Sequence, residues 1–221
     1  MGHAFWNFIY CIFLLLILII YFIETMIQFI LASQSPRRKT LLEWAELPFE
    51  VIVSEANEDF PANMPKEEVP VFIARNKANA VKEKITHETA GLKNHCIIAA
   101  DTIVVLDHEI IGKPIDKADA IASLQKLSGQ THQVITGVVL LYAAQEISFS
   151  ETTQVTFHTL TQEQIEFYVE KYQPYDKAGA YAIQEWIGVI GIKSIQGDFY
   201  NVMGLPVSRL VQQIKQLGLT W

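Results

Sequence analysis

The chain has 221 residues, of which 50% are apolar and 19% are charged, and its formal net charge at pH 7 is −7. The apolar excess lies in residues 1–25, and the rest has the composition of an ordinary globular domain, which excludes a disordered chain and a polytopic membrane protein. The excess of acidic side chains argues against a nucleic acid bound through its phosphates. Two cysteines, Cys11 and Cys96, are too few for a disulfide framework or a cysteine-based zinc site, so we expect a reducing compartment.

Residues 1–25 form a hydrophobic N-terminal segment with 20 apolar side chains and one formally charged residue, Glu24. The apolar run from Phe8 to Ile23, with its flanks, would span roughly 30 Å as a helix, as a transmembrane anchor does. The basic residues 37–39 would then hold the following domain in the cytoplasm. The alternative is that translation normally begins at Met26, because a strand pattern starts almost directly after the segment. No basic residue precedes the apolar run, which disfavours a cleavable signal peptide.

Residues 26–221 alternate strand and helix patterns, which predicts one α/β domain built on a mixed sheet. The residue types and their periodicity predict strands at 27–32, 49–53, 96–106, 109–111, 131–143 and 147–159, with a further strand-rich region at 182–195. Helical patterns cover 35–46, 69–80, 116–129, 161–172 and 206–217. The stretches 54–65 and 86–94 are predicted as connections.

Several local signals fix the ends of these elements. Ser35 followed by Pro36 is typical of a helix start, with serine as the cap and proline at the first helical position. Asp107 and His108 lie between two β-branched runs and indicate a tight hairpin. Thr161 with Gln164 predicts a capping box at the start of a helix.

The first group of candidate functional residues is the stretch 31–39, a strand, a small-residue turn and a helix start that carries Arg37, Arg38 and Lys39. Unpaired N–H groups and the helix dipole favour an anion there, and two guanidinium groups add bidentate phosphate recognition. The alternative is a solvated basic first turn. Because cations at a helix N-terminus are unfavourable without an anion, a polyphosphate site is the better interpretation.

The second group centres on Asp101, a carboxylate within an apolar strand, followed after the hairpin by residues 112–114. A buried aspartate is costly unless it is paired or binds a metal. With Glu58, or with its neighbours Glu55 and Asp59, it could hold Mg²⁺ and orient a water for attack on phosphorus. The alternatives are a structural aspartate bonded to the backbone and solvated acidic loop residues.

The third group is the stretch 176–184 with residues 197–206 downstream. Gln184 offers one donor face and one acceptor face, and recognition of a base edge requires both. The glycines in both stretches are equally consistent with ordinary turns. These residues alone assign no base.

Together, four blocks of the sequence resemble the Maf family of nucleoside triphosphate pyrophosphatases. They are the SPRR run at 35–38, the ADT run at 100–102 with GKP at 112–114, the DKAGAYAIQ run at 176–184 and the NVMGLP run at 201–206. The resemblance implies cleavage between the α and β phosphates of a nucleoside triphosphate. It also implies a mixed elongated sheet flanked by helices, similar to the inosine triphosphate pyrophosphatases, with two lobes, a central cleft and a homodimeric assembly.

The resemblance also assigns roles to individual residues. Asp101 is implied as the proton acceptor for the attacking water and, with Glu58, as a ligand of a divalent metal, Mg²⁺ or else Mn²⁺. The positions implied to set base specificity are Arg37, Thr102 and Gln184. Those implied to face the phosphates are Ser33, Arg38, Lys77 and Lys113.

The paired arginines, Thr102 and Gln184 match the subtype that acts on dTTP and UTP, the YhdE type. We therefore expect a cytoplasmic hydrolase that clears these nucleotides and modified pyrimidine triphosphates. A membrane contact would arise only through residues 1–25. The competing hypothesis is a nucleotide-binding regulator of cell division with little turnover. Glu185 and Trp186 stand where many members have glycine, and residues 1–25 have no counterpart in the family pattern.

Overall fold

The computed structural model describes residues 27–88 and 94–221, which form a mixed seven-stranded sheet with helices on both faces. The strands are β1 (Gln28–Leu31), β2 (Phe49–Val51), β3 (His95–Leu106), β4 (Glu109–Ile111), β5 (Thr131–Tyr142), β6 (Gln145–Phe157) and β7 (Ile192–Gln196). The helices are α1 (Pro36–Trp44), α2 (Val69–Glu88), α3 (Lys117–Leu127), α4 (Gln162–Tyr172), α5 (Trp186–Gly191), α6 (Phe199–Met203) and α7 (Val207–Gln216), with a short 3₁₀ turn at Ala178–Ala180. The predicted α/β class is confirmed.

The strand order is β2-β1-β3-β5-β6-β7, and β4 pairs with β3 beside this path. β1 runs parallel to both β2 and β3. The remaining pairs, from β4 through β7, are antiparallel. The parallel pairs therefore involve the first three strands, and the later strands add long antiparallel pairs to the sheet.

One edge of β3 is interrupted, and this interruption creates the cleft. β1 pairs with β3 as far as Leu31 opposite Ile98, and β4 takes up the pairing at Ile111 opposite Val104. Within the described residues no strand pairs with residues 99–103 on that side, although β5 pairs with them on the other. The gap separates two lobes and lies at the carboxyl end of β1, where ligands bind in sheets of this kind.

Helix α2 covers one face of the sheet. Its buried side chains recur at helical spacing, as Ala74, Ala78, Val81 and Ile85. The helix backbone passes so close to β5 that a Cβ at Gly137 would lie 2.2 Å from the Val71 nitrogen. Glycine at this position therefore allows α2 to reach the sheet.

The other face is covered by several helices that share one apolar cluster. Leu42 of α1, Leu124 of α3, Tyr168 of α4 and Leu210 of α7 are all fully buried in it. They pack with the residues of β3 that point away from α2, such as Ala100. Successive residues of β3 consequently belong to different cores.

The local signals at the element ends are mostly confirmed. Thr161 and Gln164 form the capping box, and Asp107 turns the hairpin with a φ of 54°. Ser35 is the N-cap residue and Pro36 the first helical residue, as predicted, although the Ser35 side chain makes no capping hydrogen bond.

Two predicted boundaries were wrong. Helix α2 extends into the stretch 86–94, which was expected to be a connection. The region 182–195 was expected to be strand-rich, but residues 186–191 form helix α5 and only the end belongs to β7. A short apolar run such as Trp186–Ile190 fits a buried strand and a helix turn equally well, so periodicity alone does not assign it.

The predicted transmembrane anchor lies outside the described residues, and the division at residue 26 stays a prediction. In the part of the chain that the structure describes, no helix is both long and apolar enough to cross a bilayer.

Candidate active site

A cavity of about 840 Å³ opens at the gap beside β3. Its walls come from the turn between β1 and α1, the acidic loop after β2, helix α2, the middle of β3, the turn after β4, and the segments 176–182 and 202–204. Eight of the nine side chains predicted for the site line this cavity, and Gln184 is the exception. Residues from both faces of β3 reach the cavity because the sheet is interrupted there.

On the α2 side of β3, Lys77 connects two carboxylates. Its Nζ lies 2.7 Å from Asp101 Oδ1 and 2.8 Å from Glu58 Oε1. Burial raises the pKa of Glu58, but the hydrogen bond and charge of Lys77, with help from Lys113, outweigh it, so the pKa falls below its usual value. This acidic cluster, Asp101, Lys77 and Glu58, presents carboxylate oxygens held by one shared ammonium group.

Arg38 is almost completely buried and ties three segments together. Its Nε donates to the Gly204 carbonyl at 2.8 Å, and its two terminal nitrogens donate to Ser33 Oγ at 2.9 Å and to Thr102 Oγ1 at 3.0 Å. Burial is the main cause of a lowered pKa for Arg38, although the guanidinium group remains a cation. Each terminal nitrogen keeps one further N–H for another acceptor.

Thr102 follows Asp101 directly but points to the opposite face of the sheet, as alternation along a strand requires. Its hydroxyl lies 2.9 Å from the Thr136 hydroxyl, which in turn donates to the Asn201 carbonyl at 3.1 Å. Asn201 is itself buried and donates to the Val134 carbonyl at 3.1 Å. This chain of hydrogen bonds fixes the segment after β7 against the sheet.

The wall opposite α2 holds a second charged group, whose ion pairs sequence reasoning did not predict. Arg37 Nη1 lies 3.1 Å from Asp176 Oδ2, and Lys177 Nζ lies 2.7 Å from Asp176 Oδ1. Burial alone would raise the pKa of Asp176. The charges and hydrogen bonds of Lys177 and Arg37 lower it by more, so the net shift of the pKa is downward. The sequence showed Asp176 and Lys177 within a motif, and a lysine directly after an aspartate gave no separate signal of a role.

Gln184 lies in the turn before α5, where it is exposed and does not line the cavity. Its implied part in base recognition stays a prediction. The next residue, Glu185, instead turns inward: it accepts a short hydrogen bond from the Tyr168 hydroxyl, and its other oxygen lies 3.6 Å from Lys177 Nζ.

Behind the cavity wall, His132 supports Tyr181. The His132 ring is stacked on Phe157, and its Nε2 lies 2.7 Å from the Tyr181 hydroxyl. Burial lowers the pKa of His132 to about 4, so the ring is neutral at pH 7. Tyr181 lines the cavity, and the histidine thus stabilises that wall without adding charge.

The residues present fit a divalent cation only as a partial coordination set. Among the described residues, no group of three histidine, cysteine, aspartate or glutamate side chains is close enough to hold a metal. Asp101 and Glu58, however, direct carboxylate oxygens towards one cavity. Mg²⁺ is usually held by one or two carboxylates together with substrate phosphates and waters, and these two side chains match that pattern.

The chain is similar in sequence to several known proteins. A dTTP/UTP pyrophosphatase of Porphyromonas gingivalis is 46% identical over 192 residues, which cover 86% of this chain and 94% of the relative. A dTTP/UTP pyrophosphatase of Bacillus cytotoxicus is 49% identical over 189 residues, covering 86% and 95%. Among solved structures, the Staphylococcus aureus Ham1 protein is similar over 87% of this chain and 100% of its own, at 17% identity and a TM-score of 0.49.

The family model described as Maf-like protein matches residues 28–217, almost the whole of the described chain. The resemblance of the four sequence blocks is thereby confirmed. The chain belongs to the Maf-like protein family.

Proposed function

We propose that the chain is a nucleoside triphosphate pyrophosphatase that converts dTTP and UTP to the monophosphate and pyrophosphate. The observation that carries the proposal is the Asp101 carboxylate in a cavity lined by five basic and four acidic residues. Relatives at 46–49% identity carry the name of this activity. Their names describe turnover, which favours the enzyme over the binding-only regulator.

Asp101 is proposed to accept the proton of the attacking water. Its side chain is only 13% exposed, and Lys77 fixes its orientation. A positioned carboxylate of this kind removes the proton as the oxygen–phosphorus bond forms. The chain supplies one such carboxylate on β3, with Glu58 facing it across the Lys77 ammonium group.

The cations around the cavity are proposed to bind the triphosphate. Lys77, Lys113 and Arg38 line it together with the β1–α1 turn that contains Ser33. Negative charge grows on the pyrophosphate when the bond to the α phosphorus breaks, and fixed cations stabilise that charge without reorganising. Arg38 contributes mainly by holding the turn, because three of its donors already bind protein atoms.

Asp101 and Glu58 are proposed to hold the divalent cation, Mg²⁺ or Mn²⁺, together with the substrate phosphates. Such a cation polarises the phosphoryl oxygens and lowers the pKa of a bound water. Lys77 lies between the two carboxylates and reduces the repulsion between them.

Base preference is proposed to depend on Arg37 and Thr102, with Gln184 as the third position that the resemblance implies. Arg37 lines the cavity and is 22% exposed, whereas Thr102 acts through its bonds to Arg38 and Thr136. We further propose activity on modified pyrimidine triphosphates, which present the same base edge.

The test is to incubate the purified chain with each nucleoside triphosphate and Mg²⁺ and to measure pyrophosphate. We expect release from dTTP and UTP ahead of the other nucleotides, and none when the cation is chelated. Tight binding of dTTP without pyrophosphate release would instead support the regulator. Release mainly from a purine nucleotide would overturn the assigned substrate.

We propose a homodimer in the cytoplasm, attached to the membrane only if residues 1–25 are translated. Light scattering would measure the mass of the assembly, and mass spectrometry of the native N-terminus would decide between the anchored and the shorter form.

A further inference from the structure

Three charged side chains on the wall opposite α2 alternate as cation, anion and cation. Arg37 Nη1 lies 3.1 Å from one oxygen of Asp176, and Lys177 Nζ lies 2.7 Å from the other. All three residues line the cavity. Arg and Lys only donate hydrogen bonds, whereas an ionised Asp only accepts, so the group offers a donor, an acceptor and a donor in sequence.

We propose that Asp176 and Lys177, together with Arg37, recognise the edge of a uracil or thymine base. The inference rests on the proposed function and adds two specificity residues to its site. Uracil and thymine present a carbonyl oxygen, an N–H and a second carbonyl oxygen along one edge. A donor–acceptor–donor group of side chains matches that edge in order, with the Asp176 carboxylate facing the base N–H.

The group retains hydrogen-bonding capacity for a ligand. Lys177 has three N–H donors, one directed at Asp176, and Glu185 at 3.6 Å is beyond ordinary hydrogen-bond distance. Each carboxylate oxygen has two lone pairs, so the bonds to Arg37 and Lys177 leave acceptor sites on Asp176. The Asp176 side chain is 56% exposed, which leaves it accessible to a base.

The position of Lys177 is held from several sides. Its side chain is only 9% exposed, and Glu185, itself bonded to the buried Tyr168, lies behind it. The following turn is anchored where the Gly179 N–H donates to the Gly112 carbonyl at 3.0 Å. A buried lysine held in this way loses little conformational freedom when a ligand binds, which favours selective contact.

A phosphate-binding role fits this wall less well. The Asp176 carboxylate would face the triphosphate and repel it, whereas it suits the N–H of a neutral base. Cytosine differs from uracil by an acceptor nitrogen in place of the N–H and by an amino group in place of one carbonyl. With Lys177 assigned to the carbonyl that cytosine replaces, the carboxylate would face an acceptor and the ammonium group would face a donor, so cytosine would be rejected.

The test compares kcat/KM for UTP and CTP in the full chain and in two variants. Asp176→Asn can turn an amide N–H towards the cytosine nitrogen, so the UTP/CTP ratio should fall at least about 10-fold. Lys177→Met should lower kcat/KM for UTP and dTTP by about 10-fold or more and leave CTP nearly unchanged. Equal losses with both nucleotides in either variant would overturn the inference.

Matched controls carry the same chemical changes on exposed positions. Asp107→Asn, in the hairpin turn, and Lys215→Met, near the end of α7, should leave the ratio unchanged. If the unchanged chain hydrolyses no nucleotide at all, the proposed function fails. If it hydrolyses UTP well and the variants keep the same UTP/CTP ratio, the proposed function stands and only the inference about Asp176 and Lys177 is overturned.

A second measurement uses the unchanged chain, so it does not depend on how the variants fold. UTP methylated at the base nitrogen lacks the N–H whose hydrogen bond Asp176 is proposed to accept. It should be turned over about 100-fold less efficiently than UTP. UTP methylated at carbon 5 adds the same group on another edge and should retain most activity. Similar turnover of both methylated nucleotides would overturn the role of Asp176.

Discussion

The two charged groups on opposite walls of the cavity have opposite polarity. Near α2, the cation Lys77 lies between two carboxylates, whereas across the cavity the carboxylate Asp176 lies between two cations. In the roles proposed above, the first arrangement presents acceptor oxygens to water and a metal ion, and the second presents donors to a carbonyl-bearing base. The two groups thus differ in composition: the first has two carboxylates around one cation, which suits the proposed catalysis, and the second has two cations around one carboxylate, which suits the proposed recognition.

The largest expected effect comes from removing the carboxylate that defines the first wall. Asp101→Asn should lower kcat by about 10³-fold, or about 4 kcal/mol in the barrier, because the amide no longer accepts a proton. The measurement is pyrophosphate release from dTTP, with nucleotide binding determined in parallel. Binding should be largely retained. A variant that remains substantially active would remove Asp101 from the role of base.

Acid should destabilise the folded chain through His132, which lies behind the second wall. Its pKa is about 4 in the folded chain and near 6.5 when unfolded, so the unfolded state binds more protons between these values. Stability should therefore be fully present above pH 6.5 and fall by about 3 kcal/mol as the pH drops through 4.

The measurement for His132 is urea unfolding from pH 7 to pH 4, for the unchanged chain and for His132→Gln. The difference between the two curves should shrink as the pH falls, because glutamine does not titrate. The same substitution at His108, exposed in the hairpin turn, should leave the pH dependence as it is. Parallel curves for the unchanged chain and His132→Gln would contradict the neutral buried histidine.

Lys77→Met would test whether the first wall depends on its central cation. Asp101 and Glu58 would lose their shared partner, and the free energy of unfolding should fall by about 2 kcal/mol. Mg²⁺ should restore more thermal stability to this variant than to the unchanged chain, since the ion can replace the ammonium group. The control is Lys82→Met, on the exposed side of the same helix. No difference in the response to Mg²⁺ would separate the metal from this cluster.

The smallest effect is expected at Gln184, which lies outside the cavity. Gln184→Glu should change the preference between UTP and the other nucleotides by only a few-fold, about 1 kcal/mol or less, and should affect the preference more than kcat. The measurement is the ratio of kcat/KM values, compared with Asp176→Asn. A change larger than that of Asp176→Asn would mean that residues 182–185 rearrange to bring Gln184 to the base.

Local signals in the sequence predicted a large part of the fold. The hairpin at Asp107 and the capping box of Thr161 depend on neighbouring residues alone, and both are confirmed. Helix α5 was missed because its apolar run is too short to show a period. The helix also packs closely on the turn before it, since a Cβ at Gly188 would lie 1.8 Å from the Ile183 carbonyl oxygen.

Sequence reasoning identified candidate residues that lie together within one block of sequence. It missed the contacts between residues that are far apart in the chain. Arg37 and Asp176 are 139 positions apart, and no spacing rule connects them. Similarly, the bridging position of Lys77 depends on how α2 crosses β3, which Gly137 permits through close backbone approach. Such pairings require the three-dimensional sheet topology.

In the proposed function, the interruption beside residues 99–103 makes β3 a partition between two tasks, hydrolysis on one side and nucleotide preference on the other. Asp101 and Thr102 are adjacent in the chain, yet Asp101 contacts Lys77 of α2 whereas Thr102 contacts Arg38 and Thr136. If these roles hold, substitutions on the Thr102 side of the strand would change the preferred nucleotide while the Asp101 side stays intact.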